Sequence, residues 1–175
     1  MFHSKFIVYS FQRRLAPSMC LLLLPFVSCL PESNFPDEPI IEFQSFDVQA
    51  SGGRELIIRF SDGDGNMGLA QGDTIPPFCA SCEHHQNLKC EYQELREGLW
   101  VEVNLDPEAG QIPFYYRVPP AAPTGQNPAQ NGTIAIDMNS WYLNTEYDSM
   151  RFRIMLFDRD LNASNEVFTY AVAKP

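Results

Sequence analysis

The chain has 175 residues and a formal net charge of −10, with 45% hydrophobic and 13% aromatic residues. That is one domain's worth of chain with enough apolar material for a core. Its acidity argues against nucleic acid and anionic lipid headgroups as partners, because both call for a basic patch.

The first 29 residues read as an address. "MFHSKFIVYSFQRRLAPSMCLLLLPFVSC" opens with Lys5, Arg13 and Arg14 and continues into an apolar run from Met19 to Val27. The run is shorter than the ~20 residues that span a bilayer as a helix and has the form of a secretory h-region. "PFVSC" resembles a bacterial lipobox, with small Ser28 before Cys29; Phe26 departs from the usual Leu. The resemblance implies a lipoprotein signal peptide over residues 1–28 and palmitate-type acylation of Cys29. It implies a place in the bacterial cell envelope, at the outer membrane. The alternative is an ordinary cleaved signal with an incidental cysteine. Cleavage before Cys29 leaves nine Lys and Arg against 22 Asp and Glu, a formal charge of −13. Residues 29–39 contain "LPESNFPDEP", whose prolines and acids make an extended tether.

From residue 40 to 175 the pattern is strands and turns, with no trustworthy 3.6-residue period. "IIEFQSFDVQA" switches its apolar parity between Phe43 and Phe46, which predicts a bulge at Gln44–Ser45. "RELIIRF" puts Leu56, Ile58 and Phe60 on one face. "LKCEYQEL" and "LWVEVNL" flank "REG" as a hairpin, with Leu99, Val101, Val103 and Leu105 sharing a face. "PFYYRV" is short. "GTIAIDM", "SMRFRIMLF" and "NEVFTYAVA" complete the set. Seven to eight short alternating strands predict an all-β antiparallel sandwich of immunoglobulin-like type.

"FSDGDGNMGL", "REGLWVEV" and "FDRDLNASNEV" together resemble a group of uncharacterised lipoproteins of Bacteroidetes-type bacteria. That group combines an acyl anchor with a single immunoglobulin-like β-sandwich domain. The resemblance covers most of the chain after Cys29, departs from it at the Cys/His insert, and brings no established activity.

Two loops carry candidate chemistry. Asp62, Asp64 and Asn66 stand at alternate positions in "SDGDGNMG", and Asp158, Asp160 and Asn162 in "DRDLNASN". Such spacing offers several oxygens to a hard cation such as Ca²⁺. The first loop is not an EF-hand: counted from Asp62, Met67 stands where that motif requires Gly, and Asp73 where it requires Glu. In an immunoglobulin-like sandwich the two loops lie at one end, which would gather their carboxylates. The other reading is two solvated turns whose acids bond their own backbone.

An insert over 76–90 contains Cys79, Cys82, His84, His85 and Cys90. Cys79, Cys82, His84 and Cys90 match a Cys₃His set for Zn²⁺ or another soft metal. An oxidising envelope favours instead a disulfide, with Cys90 joined to Cys79 or Cys82. Free or redox-active thiols are the third reading.

No phosphate loop, nucleophile elbow or His-Glu-x-x-His motif occurs. The expectation is therefore not an enzyme, with an envelope hydrolase as the remote alternative. Trp100, Trp141, Tyr115, Tyr116, Tyr142 and Tyr170 offer a sugar- or peptide-binding face, or are core and half-buried sheet residues. The sequence points first to a lipid-anchored, non-enzymatic binding or adhesion module with a protein or glycan partner, and second to a soft-metal or thiol-redox lipoprotein.

Overall fold

The structure is a computed structural model and describes residues 35–106, 108, 110–121 and 128–175. The signal segment, Cys29 and the first half of the tether lie outside the described residues. Among those residues no helix is long and apolar enough to cross a membrane.

The described chain is all-β, with two antiparallel sheets. The first sheet joins β1 (Ile40–Val48), β2 (Arg54–Asp62) and β6 (Gln130–Met138) in the order β1-β2-β6. The second joins β3 (Leu88–Arg96), β4 (Leu99–Glu102), β7 (Ser149–Leu156) and β8 (Val167–Phe168) in the order β4-β3-β7-β8. β5 (Phe114–Tyr116) pairs with the start of β3, and β9 (Val172–Ala173) with the start of β7. The expected last strand is thus split in two around Thr169, whose side-chain oxygen takes the Phe152 amide at 3.0 Å.

Alternation decides the core. Ile41 and Phe46 of β1, Leu56, Ile58 and Phe60 of β2, and Met150, Phe152, Ile154 and Leu156 of β7 are all buried. Phe46 meets Phe152 edge-on at 5.6 Å, so the two sheets pack inner face to inner face. Such aromatic pairs add to the apolar burial that holds the layers together. The bulge sits where the parity switch put it, between Phe43 and Ser45.

β4 departs from its pattern. Leu99 and Val101 are exposed, while Trp100 turns to the other face, where the Arg151 guanidinium lies 4.5 Å from its ring. β4 is an edge strand of the wider sheet, and the three-stranded sheet opposite provides no cover for its apolar parity.

The free edge of β1 is closed by side chains. Asn165 accepts the Ile41 amide at 2.8 Å and donates to the Ile41 carbonyl at 3.0 Å. Further along, the Tyr170 hydroxyl donates to the Phe46 carbonyl. Side chains thus occupy backbone groups that would otherwise invite a foreign strand.

Candidate functional site

The loop after β2 and the loop after β7 meet at one end of the fold. β2 ends at Asp62, which is fully buried, and β7 leads through Phe157 to Asp158, which is 1% exposed. Between the loops, Asn66 Nδ2 donates to Asp160 Oδ2 at 2.9 Å and to Asp64 Oδ2 at 2.8 Å. The two Asp-x-Asp-x-Asn triplets are therefore brought together.

Each loop is also shaped by its own acids. Asp62 Oδ2 accepts the Met67 amide at 3.1 Å, and Asp64 Oδ1 accepts the Asn66 amide at 3.2 Å. Asp158 receives both the backbone amide and the side-chain amide of Asn162, each at 2.7 Å. These are turn-forming bonds of the kind Asp and Asn make wherever a chain reverses. Met67 is 2% exposed and packs in the core, so the loop bends inward where an EF-hand would expose a glycine.

The electrostatics are unbalanced. Burial, then the charges of Asp64 and Asp158, push the Asp62 carboxyl up to about 6. Asp64 is likewise raised, by burial and then by Asp158, Asp37 and Asp160. Among the described residues, none of these five aspartates has a Lys or Arg within ion-pair distance. Asp62 Oδ1 and Asn66 Oδ1 are both buried without a hydrogen-bond partner. Buried polar atoms are nearly always satisfied, so two orphans in one small cluster call for an explanation.

Asp37 is the member the sequence did not flag. It enters because the tether returns to this end: the Gly63 amide donates to the Pro36 carbonyl at 2.8 Å. A Cβ on Gly63 would collide with the Phe35 and Pro36 carbonyls, so only glycine permits this approach. Among the described residues, no three Asp, Glu, His or Cys side chains are already closed around one point. The amides of Asn66 and Asn162 stand among the carboxylates.

The cysteine insert takes a different form from either of its expected assemblies. Cys79 and Cys82 are joined to each other by a disulfide, with Cα atoms 4.9 Å apart. Cys90 is a free thiol, 1% exposed, on the inner face of β3 opposite Ile154 and Phe114. The pairing of Cys90 with Cys79 or Cys82 is thus replaced by a local bridge. The reason lies in the β3 parity, which points Cys90 into the core with Leu88 and Tyr92. The same parity separates it from the other members of the Cys₃His set. His84 packs edge-on against Phe157 at 5.3 Å.

Arg117 holds the insert to the fold. Its guanidinium donates to the carbonyls of His85, Ala70 (2.9 Å) and Asp73 (2.8 Å). Asp73 in turn pairs with Arg159 from the loop after β7. Nothing in "YYRVPP" marks Arg117 in advance as a clamp.

The aromatic residues do not form one face. Trp141 is buried against Phe46, Tyr115 donates to Glu91 at 2.7 Å, and Tyr170 closes β1. On the outer face of the wider sheet, Arg151 lies between Trp100 and Phe168, 4.5 and 4.4 Å from their rings. No family model matches the chain, and no curated protein or solved structure matches it either.

Proposed function

We propose that this chain is a lipid-anchored module of the bacterial cell envelope. It displays an immunoglobulin-like domain on a short tether and acts by binding a protein or glycan rather than by catalysis. The observation that carries the reading is the arrangement of one sandwich behind a lipobox-like Cys29. The strand order β1-β2-β6 facing β4-β3-β7-β8 supports the immunoglobulin-like assignment, since that fold likewise sets an early hairpin beside a later strand and opposes it with a central pair. The sandwich begins at Ile40, only 11 positions after Cys29. An acylated Cys29 would therefore hold the domain close to the bilayer. More than one acyl chain gives lasting attachment where a single chain does not.

The test is expression of the full chain in a bacterial host with a radiolabelled or clickable palmitate analogue. Label on the protein and partition into detergent phase are expected, both abolished by Cys29→Ala. Membrane attachment that survives Cys29→Ala would overturn the anchor.

A further inference from the structure

The two orphaned oxygens at the acidic end point to a missing positive charge. Asp62 is fully buried, its Oδ2 is taken by the Met67 amide, and its Oδ1 has no partner. The Asn66 carboxamide stands between Asp64 and Asp160 with its NH₂ toward both carboxylates and its Oδ1 buried without a partner. The NH₂ occupies the place a cation would take. Turning the carboxamide by half a revolution would exchange Oδ1 for Nδ2 and present an oxygen to that place.

We propose that Ca²⁺ binds here, held by Asp62 Oδ1, Asp64, Asn66 Oδ1 and Asp160, and that Asp37 joins from the tether. The cation thereby fastens the segment leading out of the anchor onto the end of the domain. The donor set is all oxygen and rich in carboxylate, which suits a hard cation and not Zn²⁺ or Cu. Ca²⁺ fits better than Mg²⁺, because the donors come from three separate segments of the chain and Mg²⁺ demands a tight octahedron. Asp158, both of whose oxygens are held by Asn162, contributes charge rather than a direct bond. The Gly63–Pro36 bond already lays the tether along the loop, so recruiting Asp37 needs little movement. The site stands on the domain alone and is independent of whether Cys29 is acylated.

The experiment uses the full-length chain in detergent, first stripped with a chelator. Calorimetric titration with Ca²⁺ is expected to show one site with Kd on the order of 0.1–1 mM, the range of exposed extracellular sites. The melting temperature is expected to rise by several degrees at about 5 mM Ca²⁺ through ligand linkage. Asp62→Asn should abolish both signals. Asp160→Asn, at an exposed position, guards against a folding defect and should weaken binding on the order of tenfold. Asp37→Asn should weaken binding several-fold and cancel the Ca²⁺-dependent protection of the Gly63 amide from hydrogen exchange. An unchanged melting temperature, or a Ca²⁺ response that survives Asp62→Asn, overturns the site. Mg²⁺ acting as well as Ca²⁺ overturns the choice of cation. Full affinity in Asp37→Asn overturns the part given to the tether.

Discussion

Asn66 and Asp160, 94 positions apart in the chain, are joined by a hydrogen bond of 2.9 Å. That bond ties the loop after β2 directly to the loop after β7, beside the Arg159–Asp73 ion pair between the same two connections. It also shows how the fold copes with concentrated negative charge: amide protons stand between carboxylates that would otherwise repel. The arrangement is a compromise, since it leaves Asp62 Oδ1 and Asn66 Oδ1 unsatisfied.

In the presence of chelator at neutral pH, Asp62→Asn should stabilise the domain. Asparagine keeps an oxygen for the Met67 amide, removes one buried charge and offers NH₂ to its acidic neighbours. The gain should be about 1–2 kcal/mol, and each kcal/mol moves the melting temperature of a chain this size by roughly 2–4 °C. Urea unfolding of both proteins measures it. A lower midpoint for the variant would mean that the Asp62 charge is already balanced.

Much of this fold is legible from parity alone, and its failures have physical causes. The switch between Phe43 and Phe46 locates the β1 bulge because a bulge is what restores inward pointing after an extra residue. Chain order brings the acidic loops together because a two-sheet fold places particular connections at the same end. Asp37 is not legible, since its role depends on a tether that folds back against Gly63, and a Pro-rich segment gives no sign of where it docks. β4 misleads for a similar reason. Its alternating Leu99 and Val101 describe a face, but whether that face is covered depends on the width of the opposite sheet. Cys90 lies between these cases: it shares the parity of Leu88 and Tyr92, as a core residue does, while its spacing from Cys79 and Cys82 is that of a metal or disulfide set.

Cysteine reactivity should divide along the same lines. Peptide mapping of the non-reduced protein should return a Cys79–Cys82 bridge. Burial pushes the Cys90 thiol well above its ordinary value, and the thiolate is the reactive form. Cys90 should therefore resist iodoacetamide in the native state and react only after unfolding. Rapid native labelling of Cys90 would contradict its place between the sheets. The bridge closes a very short loop, so Cys79→Ser with Cys82→Ser should cost no more than about 2 kcal/mol.

Arg117→Met should loosen the insert without dissolving the sandwich. Methionine keeps much of the apolar stem but leaves the carbonyls of Ala70, Asp73 and His85 without their shared donor. Hydrogen bonds from a charged donor contribute about 1.5–3 kcal/mol each, though three from one group do not add in full. Hydrogen exchange should accelerate over residues 70–85 while β2 and β7 keep their protection. Uniform acceleration across both sheets would instead make the insert part of the cooperative core.

Glu94 gives the pH dependence its sign. It lies on the core-facing parity of β3, fully buried, where it accepts from Arg96 (2.8 Å), Lys174 (3.2 Å) and the Thr145 hydroxyl. Lys174 itself donates to the Leu143 carbonyl at 3.1 Å and is 7% exposed at its side chain, so the pair pins the C-terminus to the loop before β7. Burial alone would raise the Glu94 pKa; the bonds from Thr145, Arg96 and Lys174 outweigh it and hold the group below its ordinary 4.5. A carboxyl with a lowered folded-state pKa binds fewer protons folded than unfolded. Its contribution is therefore complete above 4.5 and is lost as pH falls through the folded-state value. Glu94→Ala should cost about 3 kcal/mol at pH 7, mostly by leaving Lys174 buried and unpaired. At acidic pH the gap between wild type and variant should narrow, because the wild-type carboxylate is then neutralised as well. Thermal unfolding of both proteins from pH 7 down to about 3 measures the closure. A gap that stays constant across that range would show that Glu94 acts through packing and not through its charge.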